Sequence, residues 1–230
     1  MKIGVLLAGG SGNRFGLELP KQFYKINNIP IIIYSLFNFV NNINIDKVVV
    51  VSNKEYMKHT KGIVELYYGN LQNKIIFCNG GKTRQDSLYN GIIENSTNKD
   101  IVVSHCVARP IIDKEIINLN IEMIEENCCI NTVKYIYDTM IYNDMFIDRE
   151  KTFIGLTPQT FYADNFIEAY RRDRYKNFTC ACSLMVSQGY KMKLLKTDKC
   201  IPKITKIDDI KLIESMVNND AEYQNLFNRT

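Results

Sequence analysis

The run Lys47-Val48-Val49-Val50-Val51-Ser52 has no alternation of apolar and polar residues, so both of its faces must be buried. A strand covered on both sides belongs in the middle of a parallel sheet. Similar apolar runs recur at 3–7, 74–78, 100–104, 128–134 and 192–195. Helix-compatible stretches separate them. Residues 31–40 follow Pro30 and read as a helix buried on most sides. Residues 54–66 read as a second, and 84–94 as a third with Leu88, Gly91 and Ile92 at helical spacing. Asp113 is a good N-cap for a helix reaching about residue 126, and further helices are expected over 164–172, 182–188 and 208–217. Such alternation predicts an α/β fold with a doubly wound, mostly parallel sheet. In these sheets ligands gather at the carboxyl ends of the strands.

The first strand runs into Leu7-Ala8-Gly9-Gly10-Ser11-Gly12-Asn13-Arg14-Phe15-Gly16, closed by Leu19-Pro20-Lys21-Gln22-Phe23. Four glycines in eight positions let the backbone turn sharply and approach a ligand. Successive N–H groups in such a turn form an anion-binding concavity. Arg14 and Lys21 add cations, and Lys21, following Pro20, is expected to be extended. The segment reads as a polyphosphate cradle; taken alone, it also reads as a plain strand-to-helix connection. It is not a P-loop, because Asn13 rather than Lys-Ser or Lys-Thr follows Gly12. Nor is it a dinucleotide fingerprint: Gly10 and Gly12 fit, but the sixth position is Phe15. Two more cationic loops fall at strand ends, Asn79-Gly80-Gly81-Lys82-Thr83-Arg84 and His105-Cys106-Val107-Ala108-Arg109-Pro110.

The 230 residues suit one large domain over 1–230, with 135–154 as an appended arm. In that arm, aromatic and β-branched residues are broken by Asn143-Asp144, as in a hairpin. With 46% apolar and 23% charged residues the chain has ample core, and a net charge of +4 suits a small anionic substrate rather than nucleic acid. No apolar run reaches the roughly 18 residues of a membrane span. Seven cysteines without a CxxC pair, and no signal-peptide layout, read as reduced thiols in the cytoplasm.

The glycine segment resembles the signature of sugar-nucleotide pyrophosphorylases and cytidylyltransferases. Its Pro-Lys-Gln-Phe ending is similar to the branch making CDP-methylerythritol or CDP-ribitol. Gly80-Gly81-Lys82-Thr83-Arg84, Ala108-Arg109-Pro110, Asp138-Thr139-Met140, Thr157-Pro158-Gln159 and Lys203-Ile204-Thr205 follow in that family's order. The stretch 46–59 and Thr179-Cys180-Ala181-Cys182 look more like the ribitol-5-phosphate branch than the methylerythritol branch. The resemblance implies transfer of CMP from CTP to a polyol or sugar-alcohol phosphate, releasing pyrophosphate. It implies that Ala8, Gly9, Gly10, Ser11, Gly12, Gly80 and Gly81 hold the nucleotide, with Arg84 and Ser87 at the cytosine and ribose side. Arg14, Lys21 and Lys203 would be catalytic. Arg109, Thr139, Arg149, Thr179 and Lys203 would bind the alcohol phosphate. Residues 135–154 match the family's dimerisation arm, through which Thr139 and Arg149 would reach the partner's substrate in a homodimer.

Mg²⁺ is implied too, but where the family has a metal-positioning Asp this chain has Cys106. Cys180 stands at a second family Asp. Three alternatives follow: Mg²⁺ held mainly by triphosphate oxygens and water, a softer ion at His105, Cys106 and Cys180, or a paralogue that binds nucleotide without turnover.

Overall fold

The fold is taken from a computed structural model, which describes residues 1–10, 20–71, 73–173 and 178–227. In chain order the strands are β1 (Lys2–Leu7), β2 (Lys25–Ile26), β3 (Ile29–Pro30), β4 (Lys47–Ser52), β5 (Ile75–Asn79) and β6 (Ile101–Cys106). They continue with β7 (Cys128–Tyr135), β8 (Met140–Tyr142), β9 (Met145–Ile147), β10 (Phe153–Tyr162) and β11 (Lys191–Lys196). The helices are α1 (Ile31–Val40), α2 (Met57–Tyr68), α3 (Arg84–Ile93), α4 (Lys114–Glu122), α5 (Ala163–Arg172), α6 (Ala181–Ser187), α7 (Asp209–Asn219) and α8 (Ala221–Phe227).

Seven strands form one sheet in the order β11-β7-β10-β6-β1-β4-β5. The β6-β1-β4-β5 block is parallel, β11 is parallel to β7, and β10 runs antiparallel to both neighbours. The sheet is therefore mostly parallel. The period of two along each strand divides the core. Leu6, Val48, Val50, Val103, Ile130 and Leu195 face α1, α2, α4 and α7. Val5, Leu7, Val49, Val51, Val102 and Cys129 face α3, α5 and α6. Helices cover both faces, which is why the Val48–Val51 run tolerates no polar position. Among the described residues no helix is long and apolar enough to cross a membrane.

Several elements differ from their expected form. Lys21 is not extended: Lys21–Phe23 is a 3₁₀ turn opened by Pro20 at φ −56°. Proline's ring crowds the residue ahead of it, while its own fixed φ suits the start of a turn. The fourth long run carries its ladder two residues further, so His105 and Cys106 lie in β6 rather than in the following loop. Helix α4 stops at Glu122, short of the expected end. Strand β10, at 153–162, had no expected element. Gly155 and Pro158 lie in it, and its register against β7 shifts between Gly155 and Gln159. Proline lacks a ladder donor and the bulge breaks the alternation, so the strand reads as loop. Helix α8 was also unforeseen; its Tyr223 is 1% exposed and packs 5.5 Å from the ring of Phe37.

Strands β8 and β9 pair only with each other and turn at Asn143 and Asp144, both at positive φ. Asn and Asp tolerate this left-handed conformation better than other side chains with a Cβ.

Candidate active site

At the carboxyl ends of β1 and β6, beside the start of α3, lies a cavity of about 350 Å³. Its wall is built from Leu7, Ala8, Gly9, Gly10, Lys21, Gln22, the 81–84 turn, Ser87, residues 106–108 and Lys203. Three separate loops meet there because their parallel strands are neighbours or near neighbours in the sheet.

Each wall has an identifiable support. The β1 end is held by Ala8 N–H donating to Val51 O (2.7 Å) and by the buried Gln22 Nε2 donating to Ala8 O (2.7 Å). Helix α3 opens with a capping box: Thr83 Oγ1 accepts from Asp86 N, and Asp86 Oδ2 accepts from Thr83 N. Ser87 Oγ accepts from Gly81 N (3.0 Å) and donates to Thr83 O (2.9 Å), folding the turn onto the helix. A Cβ on Gly81 would lie 2.3 Å from Asp86 Cβ, so the turn requires glycine there. The positive end of the α3 dipole faces the cavity with Arg84 in its first turn.

Lys203 reaches the cavity through the segment 201–204, which is pinned at both ends. Arg109 Nη1 donates to Ile201 O (2.5 Å), Ile204 N donates to Ala108 O (2.8 Å), and Lys21 Nζ donates to Ile204 O (2.9 Å).

Beneath the wall, the fully buried His105 donates from Nε2 to Arg109 O (2.9 Å), because a carbonyl can only accept. Its Nδ1 therefore accepts from Thr157 Oγ1 (3.0 Å), and Thr157 in turn accepts from Cys106 N (3.4 Å). Burial pushes the His105 pKa down to about 3, leaving a neutral positioning ring. Burial raises the Cys106 thiol. The Arg84 guanidinium, the Ala108 N–H and the ammonium groups of Lys203 and Lys21 outweigh it and hold the pKa below the ordinary thiol value.

Of the residues singled out from sequence, Ala8, Gly9, Gly10, Lys21, Gly81, Arg84, Ser87, Cys106 and Lys203 come together at this cavity. Ser11, Gly12 and Arg14 lie outside the described residues. Gly80 sits just behind the wall, its N–H donating to Ser52 O. Arg109 grips the 201–204 segment rather than lining the cavity. Thr139 and Arg149 belong to the hairpin region, where Arg149 Nη1 donates to Tyr137 O (2.8 Å). Thr179 is exposed and precedes Cys180, whose Sγ accepts from Ser183 N as the N-cap of α6.

Sequence reasoning assigned no role to Gln22, Lys82, Thr83 or Thr157. The first three belong to motifs already quoted, and Thr83-Arg84-Gln85-Asp86 spells a capping box. Thr157 stands in the quoted Thr157-Pro158-Gln159 motif, but its contact with His105 gave no signal, since only the sheet order brings the two together.

The Mg²⁺ implied by the resemblance does not fit the wall. Among the described residues it carries no Asp or Glu, and no three His, Cys, Asp or Glu side chains are grouped to hold a metal. Cys106 offers a soft sulfur where Mg²⁺ selects hard oxygen.

Comparison with known proteins agrees with this architecture. Residues 3–219 match the profile of the family described as IspD: 2-C-methyl-D-erythritol 4-phosphate cytidylyltransferase. The chain is 34% identical over 231 residues to a ribitol-5-phosphate cytidylyltransferase of Streptococcus pneumoniae serotype 2 (strain D39 / NCTC 7466), covering 94% of this chain and 98% of that one. Among solved structures, it is similar to a 4-diphosphocytidyl-2C-methyl-D-erythritol synthase from Anaerococcus prevotii DSM 20548 (TM-score 0.80, 21% identity, 95% of this chain and 96% of that one). It is also similar to the bifunctional IspDF of Campylobacter jejuni (TM-score 0.77, 24% identity), covering 92% of this chain and 54% of that longer one. At these identities the two structures speak for the fold alone. With strand order, loop convergence and a profile match over nearly its whole length, this chain belongs to the IspD family of cytidylyltransferases.

Proposed function

We propose that the chain transfers CMP from CTP to the phosphate of ribitol 5-phosphate. An oxygen of the polyol phosphate attacks the α-phosphorus of CTP. A new O–P bond forms, the bridging P–O bond towards the β-phosphorus breaks, and pyrophosphate leaves with the bond's electron pair. Such a reaction asks the protein mainly to align the reactants and stabilise spreading negative charge.

One observation carries this reading. Lys21, Lys82, Arg84 and Lys203 converge with the Ala8–Gly10 backbone and the α3 N-terminus on a single cavity whose described wall has no carboxylate. The glycine backbone and the start of α3, with Arg84 in its first turn, receive the triphosphate, with Ser87 towards the nucleoside. Lys21 and Lys203 face the transferring phosphoryl group; the resemblance assigns Arg14, outside the described residues, to the same catalytic set. Thr179, Arg109 and Lys203 serve the acceptor phosphate, Arg109 by holding the 201–204 segment. The polyol choice is supported by the pneumococcal relative, which is named for ribitol 5-phosphate. Methylerythritol 4-phosphate is the second reading, favoured by the name of the family profile.

The hairpin exposes Ile141, Tyr142, Met145 and Phe146, the last at 78%. Apolar exposure of this density favours a partner surface, and we place a second copy of the chain on it, with Thr139 and Arg149 reaching the partner's acceptor. All seven cysteines are unpaired, in keeping with a reducing cytoplasm.

The test is pyrophosphate release from CTP across a panel of polyol and sugar phosphates. Release with ribitol 5-phosphate at least about tenfold faster than with methylerythritol 4-phosphate is expected. The opposite order selects the second reading, and no release with any acceptor despite CTP binding removes the catalytic one.

A further inference from the structure

The misfit between Mg²⁺ and this wall has a consequence for how the nucleotide's charge is met. Among the described residues, Lys82, Arg84 and Lys203 make no ion pair, although all three line the cavity. The hydroxyls of Thr83 and Ser87 on the wall are already engaged in the capping box and the turn. Cys106 is the single wall residue of ordinary metal-binding type, and it presents sulfur. A carboxylate at that position would pair with the surrounding cations and attract a divalent ion; the thiol leaves the cations available to phosphate oxygens.

We infer that this cavity has no resident divalent cation and binds the nucleoside triphosphate through its own lysines and arginine, so that any metal enters and leaves on the phosphates. This rests on the CTP reading above. Lys82, Arg84 and Lys203 take the part of the charge that a carboxylate-held ion would otherwise neutralise. The metal then contributes to reactivity of the bound nucleotide more than to its retention.

The experiment is calorimetric titration of CTP into the purified full chain, in EDTA and in Mg²⁺, together with Mn²⁺ binding to nucleotide-free protein followed by electron paramagnetic resonance. CTP is expected to bind in EDTA within about tenfold of its affinity in Mg²⁺, and the nucleotide-free chain to hold no Mn²⁺. Cys106→Asp is expected to lose about tenfold or more in CTP affinity in EDTA, as the new carboxylate occupies the cations. CTP binding only when Mg²⁺ is present overturns the inference alone, as does Mn²⁺ retained by the wild-type chain without nucleotide. Absence of CTP binding under both conditions overturns the inference and the proposed function together.

Discussion

Individual side chains at the cavity divide into those that face it and those that hold its wall, and the two groups fail differently when changed. Arg84 faces the cavity from the first turn of α3. Arg84→Ala is expected to lower kcat for pyrophosphate release by about 10²-fold, the usual loss when one preorganised charge-stabilising donor is removed, with urea stability unchanged. His105 holds the wall. Burial keeps it neutral, with a pKa of about 3 against an ordinary 6.5. Between these values the unfolded chain takes up a proton that the folded chain refuses. Stability therefore falls as the pH drops through that window, by up to about 1.4 kcal/mol per pH unit for one proton, and above it His105 contributes no pH dependence. Urea unfolding followed from about pH 7.5 down to about pH 4.5 checks this; His105→Gln should flatten the slope across that range. The His105 ring was legible as a polar residue near a strand end and as one member of a soft-ion set, not as a buried brace of the wall. Nothing in the neighbouring letters announced its bond to Thr157, which is 52 positions away.

Among the elements, α3 does the most to shape the cavity, and its placement depends on one close approach. A Cβ at Gly91 would lie 2.7 Å from Val51 Cγ2 and 3.2 Å from Val5 Cγ1. The helix lies directly on β1 and β4. Gly91→Ala adds up to about 1 kcal/mol of helix propensity, yet overpacking against two β-branched side chains costs about 1–3 kcal/mol. The packing term wins, so the variant is expected to be less stable by about 1–2 kcal/mol in urea and weaker in CTP binding as α3 lifts. Equal or greater stability would show that α3 can move at no cost. Helical spacing made α3 readable, whereas the Thr83–Asp86 capping box at its start came only with the structure. Strand β10 was hidden because Gly155 and Pro158 carry loop chemistry, whereas its pairing comes from β6 and β7 on either side.

At the scale of the whole molecule, the β8–β9 hairpin projects apolar side chains that the sheet's own core does not cover. Phe146→Asp is expected to convert a dimer into a monomer in light scattering behind size-exclusion chromatography, with monomer secondary structure retained, since that ring is exposed in the single chain. A dimer that survives the change places the interface elsewhere. The sequence alone determined the kind of fold, since uninterrupted β-branched runs have to be buried on both faces and helices at matching intervals supply the cover. It also determined that cationic loops gather at one sheet edge, because parallel strands put every strand-to-helix loop on the same side. Tertiary structure alone decided which of those residues face the cavity. Arg109 was diverted to Ile201, Thr157 was brought under Cys106, and Lys203 was carried in by the 201–204 segment. The physical reason is range: strand and helix preferences act over a few residues, whereas the contacts that aim these side chains span from tens of positions to nearly the length of the chain.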